Sequence, residues 1–151
     1  MKASAPETPQ VETKEEIVEE KKEEVVDDRP VTWVEKIGGG EEQQAVINYA
    51  YARCGEECVL TWEGESGWRK DIVSKANSNG TRDHGYCQLN SQYHKPFINS
   101  EEFKDPYKQI DYCISVWNDA VKKGRLKTTF YAYNIINKRP GVRDRIIFHK
   151  D

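Results

Sequence analysis

The chain has no run of about 18 or more apolar residues, so its sequence predicts no transmembrane helix. Its first ten residues, MKASAPETPQ, hold Lys2 but no apolar stretch of the kind a secretory signal carries. The expectation is that any leader or anchor is absent from this sequence. Histidine is scarce, at three residues, and no Cys/His spacing matches a zinc site. No metal and no cofactor are expected. A strong excess of basic charge is missing too, since the formal net charge of the 151 residues is −3. A clustered basic face would mark a nucleic-acid binder, so that class is set aside.

What is present is unevenly distributed. Residues 1–40 hold eleven of the 26 acidic groups and six of the 23 basic ones, a net of −5. The remaining stretch is left with fifteen acidic and seventeen basic groups, a net of +2. All four Cys, all eight Tyr and three of the four Trp lie there as well. The pattern predicts an acidic disordered tail over 1–40 and one compact domain over 41–151, long enough for a real core. Within the tail, Glu15/Glu19, Glu16/Glu20, Glu19/Glu23 and Glu20/Glu24 put like charges one helical turn apart, which disfavours a helix. A solvated spacer follows from so few apolar groups, with partner binding as the sharper alternative. Val31-Thr32-Trp33-Val34 is a candidate for local docking, and Gly38-Gly39-Gly40 marks the boundary.

The domain reads as helical. A helix is expected over Glu41–Arg53, with Ile47, Ala50, Tyr51 and Cys54 at helical spacing and a stop at Gly55. A second is expected over Glu56–Ser66, ending at Gly67. Asp105 as N-cap and Pro106 at the first position open a third, which stops at Gly124 and carries the stripe Ile110, Ile114, Trp117 and Val121. Thr128 is expected to cap a shorter helix holding Phe130 and Tyr133. Beyond the break at Pro140-Gly141, Val142, Ile146 and Ile147 suggest a last helix. Between Gly67 and Tyr93 the pattern is irregular, with a turn at Asn77-Ser78-Asn79-Gly80.

Chemistry concentrates at that irregular stretch. Glu65 closes a helix whose preceding residues, Val59-Leu60-Thr61-Trp62, are apolar enough to bury its end. Burial raises a carboxyl pKa toward the range of a general acid. Glu63 is the competing candidate for the buried acid. Asp83 follows across the loop, and two carboxyls so placed are the parts needed to cleave a glycosidic bond. The plain alternative is that Asp83 braces a turn. His84 beside it has no third partner for a dyad, and Trp68 and Tyr93 are either sugar-stacking residues or core.

Four ordered motifs sharpen this reading. Glu65-Ser66-Gly67-Trp68, Ser74, Gly85-Tyr86-Cys87-Gln88-Leu89 and Ala132-Tyr133-Asn134 resemble the successive motifs of lytic transglycosylases. The stretch from Asn79 to Ser91 is similar to the β-hairpin of animal-type lysozymes and to the specialised transglycosylases of secretion and pilus systems. The resemblance covers about residues 41–148. It implies a mainly α, α+β lysozyme-like fold in which a small β-hairpin or irregular loop flanks a glycan groove. It implies Glu65 as the catalytic acid/base and Asp83 as the second carboxylate of lysozymes. It further implies Ser66, Gln88, Asn90, Tyr133 and Asn134 as substrate-binding residues, with Tyr133 against the catalytic Glu. The chain departs from the transglycosylase pattern at Ile135-Ile136 and Cys87, which leaves the subfamily open.

Cleavage of the β-1,4 MurNAc–GlcNAc bond of peptidoglycan is therefore expected, as a lytic transglycosylase. The alternatives are muramidase hydrolysis using Glu65 and Asp83, or a non-catalytic glycan-binding module of a secretion, pilus or phage apparatus reached through the tail. An extracytoplasmic setting goes with either, whether periplasmic, cell-wall associated or virion-associated. The four cysteines allow three full pairings. Cys54 and Cys58 can pair if Gly55 breaks the helix between them, while Cys87 and Cys113 read equally as buried small hydrophobes.

Overall fold

A computed structural model describes residues 32–150 of the protein. Of the disordered tail expected over 1–40, residues 1–31 lie outside the described residues, as does Asp151. The described part is mainly helical, with six α-helices and two small antiparallel sheets. No helix among the described residues is long and apolar enough to cross a membrane.

The first two helices form where the sequence places them. Helix α1 spans Glu41–Cys54 and α2 spans Glu56–Ser66. Gly55 separates them at φ +91°, a left-handed conformation that favours glycine, and its N–H bonds the Tyr51 carbonyl. That break lets Cys54 and Cys58 form a disulfide across it. Helix α2 is buried along nearly its whole length, through Cys58, Val59, Leu60, Thr61, Trp62, Glu63 and Ser66. Trp62 is its anchor, with ring centroids 5.8 Å from Trp68, 6.0 Å from Trp117 and 6.2 Å from Phe130. Such rings supply most of the apolar area that fixes the helix in the domain.

After α2, the short strands β2 (Asp83–His84) and β3 (Leu89–Asn90) make the expected hairpin, with Asp83 opposite Asn90. Helix α3 follows at Ser91–Ile98, capped by the Asn90 side chain, which accepts from the Gln92 N–H. A 3₁₀ turn at Glu101–Lys104 leads into α4, Pro106–Lys123. Asp105 caps α4 by accepting from the Tyr107 and Lys108 N–H groups, and Gly124 ends it at φ +67°. The buried stripe of α4 is Gln109, Ile110, Cys113, Trp117 and Ala120. Val121, assigned to that stripe from spacing, is 52% exposed. Cys113 on the stripe bonds Cys87 of the hairpin region, so all four cysteines are paired.

The C-terminal region corrects two expectations. Helix α5 is only Leu126–Thr129, a 3₁₀ turn covers Tyr131–Asn134, and α6 spans Pro140–Asp144. Thr128 does not cap, since its hydroxyl donates to the Arg125 carbonyl. Ile146–His149 is a strand, β4, and not the last helix. It pairs antiparallel with β1, Trp33–Lys36, so that Val34 faces Phe148. A β-branched pair of residues at Ile146-Ile147 suits either state, and only the partner strand decides. Val34 is fully buried and its backbone is bracketed by Asn48, which accepts from its N–H and donates to its carbonyl. Strand β1 therefore packs with residues after Gly40, ahead of the 40/41 boundary that the glycines suggested.

Candidate active site

Glu65 stands one residue before the end of α2, where the helix emerges from the core. It lines a cleft of about 570 Å³ together with Lys36, Gln43, Glu63, Arg69 and Arg145. Its Oε2 accepts a hydrogen bond from the Ala132 N–H at 3.0 Å. Burial, helped by the negative charge of Asp83, pushes its carboxyl up to about 7 against the lowering pull of the Ala132 N–H. A carboxylic acid half-protonated near neutrality can give a proton and later take one back.

The closeness of Ala132 depends on Gly64. A Cβ added at Gly64 would meet the Ala132 Cβ at 2.9 Å, so the bare α2 backbone lets the 3₁₀ turn approach Glu65. Sequence reasoning missed this role. The available signal was a glycine inside a helix, which usually has a packing reason.

Asp83 is held as part of the hairpin. Its Oδ1 accepts from Asn90 Nδ2 at 3.0 Å and its Oδ2 from Asn77 Nδ2 at 3.5 Å. Its N–H donates to Ser74 Oγ at 2.9 Å, and its carbonyl accepts from the Ser74 N–H at 2.9 Å. Ser74, singled out by motif, thus fixes the strand that carries Asp83. His84 lines a cleft other than that of Glu65, with Lys95 and Asn99.

The residues expected to bind substrate are mostly engaged with the protein. Ser66 is buried; its hydroxyl donates to the Trp62 carbonyl and accepts from the Trp68 N–H. It shapes the turn at Gly67 and Trp68, whose φ angles are +63° and +59°, and it lines the cleft beside Glu65. Gln88, at φ +57°, donates to the Gly85 carbonyl at 3.0 Å. Asn90 donates to Thr81 and Asp83 and accepts from Gln92. Asn134 donates to the Lys127 and Tyr131 carbonyls, tying the 3₁₀ turn to α5. The Tyr133 ring packs edge-on to Trp117, at 6.0 Å, while the hydrogen bond to Glu65 comes from its neighbour's backbone. Trp68 belongs to the core and Tyr93 is 73% exposed.

Two further groups complete the site's support. Glu63 is buried, with Oε1 taken by Lys36 Nζ at 2.7 Å and Oε2 by Arg145 Nε. Lys36 comes from β1 and Arg145 from the turn before β4, so the strand pair closes over the charge of α2. No local pattern links residues this far apart in sequence. Gln109 of α4 accepts from the Tyr86 N–H at 2.7 Å and donates to the Phe103 carbonyl at 2.9 Å. A Cβ on Gly85, at φ +82°, would fall 2.2 Å from Gln109 Oε1, so only glycine fits the motif there. Among the described residues, no group of three or more His, Cys, Asp or Glu side chains is arranged to hold a metal ion.

No family model matches the chain, and no curated protein matches it.

Proposed function

We propose that the domain cleaves peptidoglycan glycan strands at the β-1,4 MurNAc–GlcNAc bond, acting as a lytic transglycosylase of lysozyme-like fold. The observation that carries this reading is Glu65, a desolvated carboxyl at about 7 in an open cleft, oriented by one backbone N–H. Protonated Glu65 donates to the bridging oxygen as positive charge develops on the sugar whose bond breaks. The resulting carboxylate then takes the proton of that sugar's own 6-hydroxyl, which attacks to form a 1,6-anhydro ring. The nucleophile belongs to the substrate, so one protein carboxyl suffices. Asp83, engaged by Asn90 and Asn77, supplies negative charge that helps to keep the Glu65 proton.

Hydrolysis with Asp83 as second carboxylate is the other reading, favoured by the influence of its charge on Glu65. A retaining hydrolase places the two carboxyls about 5–5.5 Å apart and an inverting one about 6.5–9.5 Å. The two disulfides fit an oxidising compartment, which supports an extracytoplasmic setting. The test is mass spectrometry of digested peptidoglycan. Anhydro sugar ends, a water lighter than hydrolysed ones, are expected, and Asp83→Asn should slow cleavage far less than Glu65→Gln. Reducing ends throughout, with both substitutions equally damaging, would make the enzyme a muramidase. Absence of lysis by the unmodified protein would leave only a glycan-binding module.

A further inference from the structure

The cleft that holds Glu65 is lined by cations from three separate segments. Lys36 reaches it from the end of β1, Arg69 from the turn after α2, and Arg145 from the turn between α6 and β4. Its acidic residues are Glu63 and Glu65. Glu63 is already matched by Lys36 and by Arg145 Nε. With Glu65 in its acid form, the lining keeps a net positive charge.

The two guanidinium groups are anchored at one end and open at the other. Arg69 spends its Nε on the Ser66 carbonyl at 2.8 Å and is an exposed residue. Arg145 spends its Nε on Glu63, and its side chain is 48% exposed. A guanidinium has five N–H donors in a planar fork, so the terminal amino groups of both residues stay available to an acceptor. Anchoring through Nε also fixes the orientation of each fork and lowers the entropy lost on binding. A carboxylate is the acceptor whose geometry such forks match in pairs.

Resting on the catalytic reading above, we propose that Arg69 and Arg145 form a carboxylate-recognition subsite beside Glu65, which selects sugars bearing an acidic substituent over neutral ones. In a peptidoglycan strand that substituent is either the lactyl carboxylate of muramic acid or a carboxylate of its attached peptide. The chemistry is shared, and the two sources are separated by ligand. The subsite places the acid-bearing sugar next to the proton donor, and so sets the register in which the strand is cut.

The experiment uses the full chain carrying Glu65→Gln, so that ligand is bound and not consumed. Affinity is measured by calorimetry for a GlcNAc–MurNAc oligosaccharide with free lactyl carboxylates, for the same sugar with those carboxyls amidated, and for a peptide-bearing form. Inorganic phosphate serves as the competing anion. The free acid should bind about tenfold tighter than the amide at low salt, the scale of a charge-assisted hydrogen bond. Adding Arg69→Gln should shrink that contrast to about twofold, and Arg69→Lys should leave an intermediate value, because charge remains while the fork is lost. A gain confined to the peptide-bearing form would assign the subsite to the peptide carboxylate. Thermal melting verifies that each variant is folded.

Equal affinity for acid and amide, no measurable binding of either sugar, or a contrast that survives Arg69→Gln would overturn the subsite. Competition by phosphate as strong as by the glycan acid would also overturn it, by showing a general anion site. The contrast is read without turnover, so it fails separately from catalysis. Cleavage without contrast removes the subsite alone, whereas contrast without cleavage removes the catalytic reading alone.

Discussion

The backbone N–H of Ala132 and Oε2 of Glu65 meet at 3.0 Å across 67 residues of sequence. The bond orients one carboxyl oxygen of a residue that lines the cleft. It also opposes part of the effect of burial, which is why the carboxyl lies near 7.

The first prediction concerns pH. The general acid must be protonated, so kcat/KM on soluble glycan should fall tenfold per pH unit above about 7. Stability follows the same group with the opposite preference to a salt-bridged acid. The folded state holds the proton up to about 7, whereas the unfolded chain releases it near 4.5. Stability is therefore lost as pH rises through that window, by up to about 3 kcal/mol once both states are ionised. Glu65→Gln should abolish cleavage and raise the melting temperature at pH 8, but leave it unchanged at pH 4. An unchanged melting temperature at pH 8 would mean that the carboxyl is not desolvated.

Gly64→Ala tests the close approach of α2 and the 3₁₀ turn. The new methyl must displace Ala132, whose Cβ stands 2.9 Å away. Overpacking of this kind costs about 1–3 kcal/mol, against a gain of up to about 1 kcal/mol in helix propensity. Activity should drop more than the stability change explains, because the turn carries the N–H that holds Glu65. The double variant Gly64→Ala with Ala132→Gly should recover most of the rate. Full activity in Gly64→Ala alone would dismiss the Ala132 contact as unimportant.

The disulfides should contribute unequally. Cys87–Cys113 spans 26 positions and ties the hairpin region to α4, while Cys54–Cys58 spans four. In the chain-entropy picture the longer loop is worth about 3.5 kcal/mol and the shorter about 2 kcal/mol. Paired Cys→Ala variants in chemical denaturation should follow that order. Greater loss from the Cys54/Cys58 pair would show that the bridge across Gly55 sets the register of α1 and α2.

Removal of residues 1–38 should destabilise the domain. It takes away β1, the fully buried Val34 and the Lys36 partner of buried Glu63. Losing one partner of a buried ion pair costs about 3–5 kcal/mol, and a drop in melting temperature of at least about 10 °C is expected. A shift of only a degree or two would confine β1 to a peripheral role. Lys36→Met in the full chain isolates the charge from the strand, since the side-chain length is kept.

Much of this protein follows from residues that are neighbours in sequence. Gly55, Gly67 and Gly124 end helices because their left-handed backbone favours glycine, and Asp105 with Pro106 begins one because it needs a cap and a fixed φ. The apolar run before Glu65 underlies its burial, and the Asn77–Gly80 turn forms where its residues predict, just ahead of the Asp83 strand. The rest depends on partners that only folding brings together. Ile146–His149 became a strand only because Trp33–Lys36 lies beside it. Glu63 and Glu65 look alike in sequence, two residues apart on one helix. One is closed off by Lys36 and Arg145, while the other keeps its proton near neutrality because burial outweighs the one backbone N–H it accepts. A carboxyl's chemistry is set by the charges and dipoles folded around it, and those come from the far ends of the chain.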